Sequence, residues 1–149
     1  MSSAKPTFQF PEYSFQIKQQ GQKKLIFDPA RKKLIPLTPE EWVRQHAIEY
    51  LHQHFKLDYS LISVERELKY NGLSKRFDIV ASCPGSPFSC LVECKAPDIE
   101  LKAEILLQAA VYNQKFNCRW LWITNGIRHL WFELRAGKIL PVEEPNQLC

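Results

Sequence analysis

One short run constrains this chain more than any other. Phe88 to Ala96 is apolar or small on both faces of an extended strand, apart from Glu93 and Lys95. A strand apolar on both faces belongs at the centre of a sheet, with helices covering it. Side chains alternate along a strand, so Leu91, Glu93 and Lys95 share one face, and Phe88, Cys90, Val92 and Cys94 the other. Two charges thus project together from a central strand.

The flanking segments supply the rest of an α/β fold. Thr38-Pro39-Glu40-Glu41 is a helix start: Thr38 caps, Pro39 takes the first helical position, and Glu41 stands three residues after the cap. The helix is expected to run to about Phe55, with Val43, Ala47, Tyr50 and Leu51 on one face. Leu61 to Tyr70 and Arg76 to Ser82 read as strands joined at Asn71-Gly72-Leu73-Ser74. Pro97-Asp98 opens a second helix to about Phe116. Arg119 to Thr124 and Arg128 to Leu134 are strands turned at Asn125-Gly126. Lys24 to Phe27 and Lys33 to Pro36 form a short hairpin around Asp28-Pro29-Ala30-Arg31. The expected organisation is a loosely ordered arm over 1–22, a single domain over 23–140 with a mixed central sheet flanked by helices, and a fraying tail over 141–149.

Composition narrows the function. The 149 residues suffice for one domain with its own core. No apolar run approaches the length of a membrane span, and the first residues do not form a secretory leader, so the expected compartment is the cytoplasm and no membrane is expected as a partner. No phosphate-binding loop or dinucleotide fingerprint is present, which excludes familiar ATPases, kinases and dinucleotide enzymes. The net charge of +4 permits a polyanionic partner without requiring one. Cys83, Cys90, Cys94, Cys118 and Cys149 include no C-x-x-C pair and are expected to be reduced thiols.

The chemistry-bearing residues converge on the central strand. Pro84-Gly85-Ser86-Pro87 reads as the turn between the strands of Asp78 and Glu93. If that hairpin's register holds, Asp78 lies across from Glu93 and Lys95, since adjacent strands sit about 4.8 Å apart. Two carboxylates at that distance repel unless a proton or a cation intervenes. A hard divalent ion such as Mg²⁺ takes oxygen ligands of this kind, and an adjacent lysine can steady charge on a phosphate.

Asp78 followed, after fourteen residues, by Glu93-Cys94-Lys95 resembles the PD-(D/E)xK nuclease motif. Gln108-Ala109-Ala110-Val111-Tyr112 resembles the Q-x-x-x-Y motif of RecB-like members. Together with Leu37-Thr38-Pro39-Glu40-Glu41-Trp42-Val43-Arg44, Lys75-Arg76-Phe77-Asp78-Ile79, Leu91 to Pro97, Tyr112-Asn113 and Thr124-Asn125-Gly126, they resemble the N-terminal nuclease domain of type I restriction enzyme R subunits over roughly 25–135. The resemblance implies a restriction-endonuclease-like core and Mg²⁺-dependent hydrolysis of DNA, with Mn²⁺ as a substitute. It implies Asp78 and Glu93 as metal ligands, the Cys94 carbonyl as a further ligand, and Lys95 as the residue that orients water or stabilises the transition state. Glu41 would approach the metal from the first helix. Gln108, Tyr112, Arg76 and Lys75 would support the site or touch the DNA backbone. It also implies motor or specificity subunits acting in trans, and it leaves a homodimer open.

Each residue also has a plainer reading. The capping box accounts for Glu41 as well as a metal does. Lys75 and Arg76 serve equally as solvated strand-end charges. His52 and His54 read as surface, and Trp120, Trp122 and Trp131 as core or sheet face. The alternative function is a non-catalytic DNA-binding or assembly module retaining the nuclease fold.

Overall fold

The structure is a computed structural model that describes residues 7–149. Three strands, β1 (Ile17–Gln20), β2 (Lys23–Asp28) and β3 (Lys33–Pro36), form a small antiparallel sheet. Helix α1 (Pro39–Gln53) follows, and a single 3-10 turn at Tyr59–Leu61 leads into the large sheet. Its strands are β4 (Ile62–Tyr70), β5 (Leu73–Cys83), β6 (Ser86–Cys94), β7 (Trp120–Thr124), β8 (His129–Arg135) and β9 (Lys138–Val142), paired in that order. Only β6 and β7 run parallel, because α2 (Ala103–Phe116) makes the crossover between them. The sheet is mixed and the fold is α/β, as the alternation of elements predicts.

The α1 start forms as its sequence dictates. Thr38 Oγ1 accepts from the Glu41 amide at 3.0 Å, and Pro39 occupies the first turn. Val43, Ala47, Ile48 and Leu51 bury against one face of the sheet, over Ile79, Ala81, Cys90 and Val92. Leu101 and Ala109 cover the other face, over Val80, Leu91, Leu121 and Ile123. Trp120, Trp122 and Trp131 are core residues, and the rings of Trp122 and Trp131 stack at 4.9 Å.

Several boundaries differ from expectation. The second helix begins at Ala103 and not at Pro97. Leu101 tucks into the core, and the Ile99 carbonyl accepts from Asn125 Nδ2 at 2.8 Å, so 97–102 is held as a turn over the sheet. Residues 7–22 are more than an arm. Phe8, Phe10, Tyr13 and Phe15 pack around the His46 ring, with centroids 4.7–5.9 Å away, and β1 extends the expected hairpin to three strands. Residues 1–6 of that arm lie outside the described residues. At the tail, two residues are tied to the domain. Leu148 is buried, and Cys149 is disulfide-bonded to Cys83, which corrects the expectation of five reduced thiols. An odd cysteine count says nothing against one bridge closing a 66-residue span. Cys90, Cys94 and Cys118 are free and buried, as expected.

Strict alternation also fails at two places. Phe88 and Phe77 lie on the α2 side, apart from Cys90 and Ile79. Phe88 takes φ 59°, and Glu65, which faces the β5 segment between Ile79 and Phe77, takes φ 53°. Each positive φ breaks the pleat and turns the neighbouring side chains over. The second break falls at Asp78.

Candidate active site

β5 pairs with β6 from Ile79↔Val92 and Val80↔Leu91. One step further on, at the end of that ladder, Asp78 stands opposite Glu93. There the Asp78 carboxylate is held from two sides. Its Oδ2 accepts from the Cys94 amide at 2.8 Å, and its Oδ1 from Arg44 Nη2 of α1 at 2.9 Å. Asp78 therefore sits at the junction of two half-sites.

The half-site on the α2 side gathers residues foreseen from the sequence. Glu93, Lys95, Lys75, Gln108 and Tyr112, with Ile105 and Ala109, line a small cavity of about 50 Å³. Glu93 is 9% exposed, and its Oε1 is buried without a hydrogen-bond partner. Burial, reinforced by the charge of Asp78, pushes the Glu93 carboxyl up to about 7, against the opposing pull of Lys75 and Lys95. Lys75 Nζ lies 5.3 Å from the centre of the Tyr112 ring. Gln108 lines this cavity and is exposed. The Cys94 side chain is buried among the α1-side core residues, away from Glu93, as alternation predicts. Arg76 is exposed, opposite Glu67 on β4, and the structure does not bring it into the cavity.

The half-site on the α1 side holds residues that sequence reasoning missed. Arg44 donates from Nη1 to Glu41 Oε1 at 2.7 Å and from Nη2 to Glu40 Oε1 at 3.1 Å. Arg31 spans Asp28 (Nε to Oδ2, 2.7 Å), Glu41 (Nη2 to Oε1, 3.0 Å) and Glu65 (Nη1 to Oε2, 3.3 Å). Gln45 Nε2 bonds Asp28 Oδ2 at 2.9 Å and Glu41 Oε2 at 3.2 Å. Glu41 thus faces two guanidinium groups, with Arg44 between it and Asp78. Burial works to lower the Arg44 pKa, but the bond to Asp78 and the charges of Glu41 and Asp78 more than offset it and hold the proton more firmly. The signal was present in the sequence: Arg44 falls three residues after Glu41 and four after Glu40, on one helix face.

The third wall is the turn after β7. Asn125 Oδ1 accepts from the Ile127 and Arg128 amides, and Thr124 Oγ1 from the Gly126 amide. The Thr124 carbonyl accepts from the Lys95 amide at 2.9 Å, which fixes the backbone that carries Lys95.

Among the described residues no group of three or more His, Cys, Asp or Glu side chains converges as a metal cage. The Glu93 carboxyl, with an unpartnered buried oxygen and within reach of the Asp78 charge, nevertheless has the chemistry that would suit a hard divalent cation. Glu41 is engaged by Arg31 and Arg44 and is not among the residues that line the Glu93 cavity.

A family model described as type I restriction enzyme R protein N terminus matches residues 39–143 of the chain. No curated protein and no solved structure matches it. The matched stretch contains α1, β5, β6 and α2, and with them every residue of both half-sites except Asp28 and Arg31.

Proposed function

The chain belongs to the family of type I restriction enzyme R protein N termini, and from that premise we propose that it is a metal-dependent DNA endonuclease domain hydrolysing phosphodiester bonds. The observation that carries this reading is the buried, unpartnered oxygen of Glu93, opposite Asp78 and beside Lys95. A buried polar atom without a partner is costly in a purely structural role.

Asp78, Glu93 and the Cys94 carbonyl would hold Mg²⁺, with Mn²⁺ as a substitute. When bound, the ion supplies Lewis-acid stabilisation of charge on the phosphate. The chain's own residues do the rest. The Cys94 amide and Arg44 fix the Asp78 carboxylate in one orientation, so little reorganisation is required on loading. Glu93 would serve as a ligand in its carboxylate form, its proton released to solvent. The Lys95 ammonium, on the same face, orients the attacking water and balances charge on the scissile phosphate. Lys75, Gln108 and Tyr112 border the same cavity and would contact the backbone of the DNA. Glu41 acts at a distance, by holding Arg44. Delivery of the substrate would fall to motor or specificity subunits acting in trans.

One observation favours a second reading, a non-catalytic DNA-binding or assembly module: a guanidinium already occupies one oxygen of Asp78. Calorimetric titration with Mn²⁺ and Mg²⁺, with and without short duplex DNA, on wild type and Asp78→Ala separates the two. The nuclease reading requires binding that the variant loses, and nicking that Lys95→Ala loses. Absence of metal binding in wild type even with DNA would replace it with the module.

A further inference from the structure

The positive charge of this chain is concentrated in one element outside the matched family stretch. Residues 17–36, which make up the β1–β3 sheet, contain six of the chain's 20 basic residues and one of its 16 acidic residues. That is a net charge of +5 against +4 for the whole chain, so all other residues together carry −1. The single acid, Asp28, is fully buried and bonded to Arg31 and Gln45. Lys18, Lys23, Lys24, Lys32 and Lys33 are exposed, and none is in an ion pair among the described residues.

The register distributes these lysines along the sheet. Lys18 and Lys23 lie on one face with Leu25, and Lys24 and Lys33 on the other. Lys32 stands in the β2–β3 turn at φ 55°. Ile26 is fully buried and anchors the sheet to the body of the domain. Gln19, Gln20 and Gln22 are exposed between Lys18 and Lys23 and offer amide donors. Six residues of β2 extend about 20 Å at 3.4 Å per residue, the rise of about six base pairs of duplex at 3.4 Å each. The sheet is fastened beside the candidate active site: Arg31 reaches Glu41 of α1 and Glu65 of β4, and Arg44 links Glu41 to Asp78.

We propose that the β1–β3 sheet is a phosphate-backbone docking wing for duplex DNA, placed to hold the duplex against the Asp78–Glu93 site. The proposal rests on the DNA reading of that site. Contact is with phosphates and not bases, because flexible ammonium groups on an exposed sheet carry charge without a base-reading element.

The test is fluorescence anisotropy of a labelled blunt duplex over a salt series. It compares wild type, the variant with Lys18, Lys23, Lys24, Lys32 and Lys33 all changed to Gln, and partial variants K18Q/K23Q/K24Q and K32Q/K33Q. Each wing lysine that neutralises a phosphate adds about 0.9 to the slope of log affinity against log salt. The full variant is expected to bind at least tenfold more weakly at low salt with a shallower slope, and each partial variant to lose part of both. Because the substituted side chains are exposed, circular dichroism and melting temperature should match wild type. An unchanged affinity and slope in the full variant overturns the wing while leaving the nuclease reading intact. Wild-type DNA binding with the expected loss, but no metal-dependent nicking, supports the wing and removes the nuclease reading. No duplex binding by wild type even at low salt overturns both. Weakened binding of the full variant to an acidic protein, with duplex binding unaffected, assigns the patch to a protein partner and overturns the proposal.

Discussion

Arg44 joins Asp78 to Glu41 through one guanidinium, with Nη2 2.9 Å from Asp78 Oδ1 and Nη1 2.7 Å from Glu41 Oε1. The side chains of Arg44 and Glu41 are 9% and 5% exposed, so these are buried pairs and not surface ones. Removing one partner of a buried pair leaves an uncompensated charge in a medium that solvates it poorly. Arg44→Met is therefore expected to cost about 3–5 kcal/mol in urea unfolding. Arg44→Lys should recover only part of this, since an ammonium cannot present the fork that reaches both carboxylates at once. A loss within 1 kcal/mol for Arg44→Met would show that the network is dispensable.

Glu93 makes stability depend on pH in an unusual direction. Its carboxyl is raised from the ordinary 4.5 to about 7 by burial and by Asp78. Below about 4.5 both folded and unfolded chains carry the proton. Between about 4.5 and 7 the folded state holds a proton that the unfolded state has released, so stability falls as pH rises through this window. The loss by pH 8 is up to about 3 kcal/mol in the metal-free protein. Glu93→Gln keeps the shape and cannot ionise, so its stability curve should be flatter between pH 5 and 8. Parallel curves for the two proteins would place the titrating group elsewhere.

The pattern of elements was legible because each carried its own local signal. Thr38-Pro39 starts a helix, Asn71-Gly72 turns a hairpin, and the apolar run ending at Cys94 can only be central. Asp78 opposite Glu93 followed from counting across the separate hairpin that joins β5 and β6. What was not legible depended on long-range placement. The β9 strand pairs through a turn at Ala136 and Gly137, both at positive φ, in a stretch with little periodicity. Phe77 changes sides because Glu65 breaks the pleat across from it, and no residue of Glu65's type announces that. Arg31 reaches Glu41 only because the small sheet folds back on α1. The Arg44 bond to Asp78 crosses 34 residues, although its bond to Glu41 lies within one helical turn.

The Cys83–Cys149 bridge ties the end of β5 to the tail beside Leu148, which sits in the core. Closing a 66-residue span removes conformational freedom from the unfolded chain, worth about 2–4 kcal/mol. Reduction, or Cys83→Ser with Cys149→Ser, should lower stability by that amount and release the tail to proteases. Alkylation of the denatured protein should count three thiols before reduction and five after it. Five thiols without reductant would mean that the bridge does not form.

Gly126 controls the seating of the N-terminal segment on the turn that follows β7. Its φ is +83°, its carbonyl accepts from the Gln9 amide at 2.6 Å, and a Cβ there would run into the Phe8 ring. Phe8 in turn packs edge-on against His46 at 4.7 Å. Gly126→Ala therefore combines two penalties: left-handed backbone strain of about 1–2 kcal/mol and displacement of Phe8 from His46. Gly137, at φ +76° with nothing within 4 Å of a Cβ, isolates the first. Gly137→Ala should lower stability by the strain alone. Gly126→Ala should lower it further and expose residues 7–16 to limited proteolysis while the sheet stays protected. Equal losses in the two variants, with the N-terminal segment still resistant, would mean that Phe8 does not hold that segment to the turn.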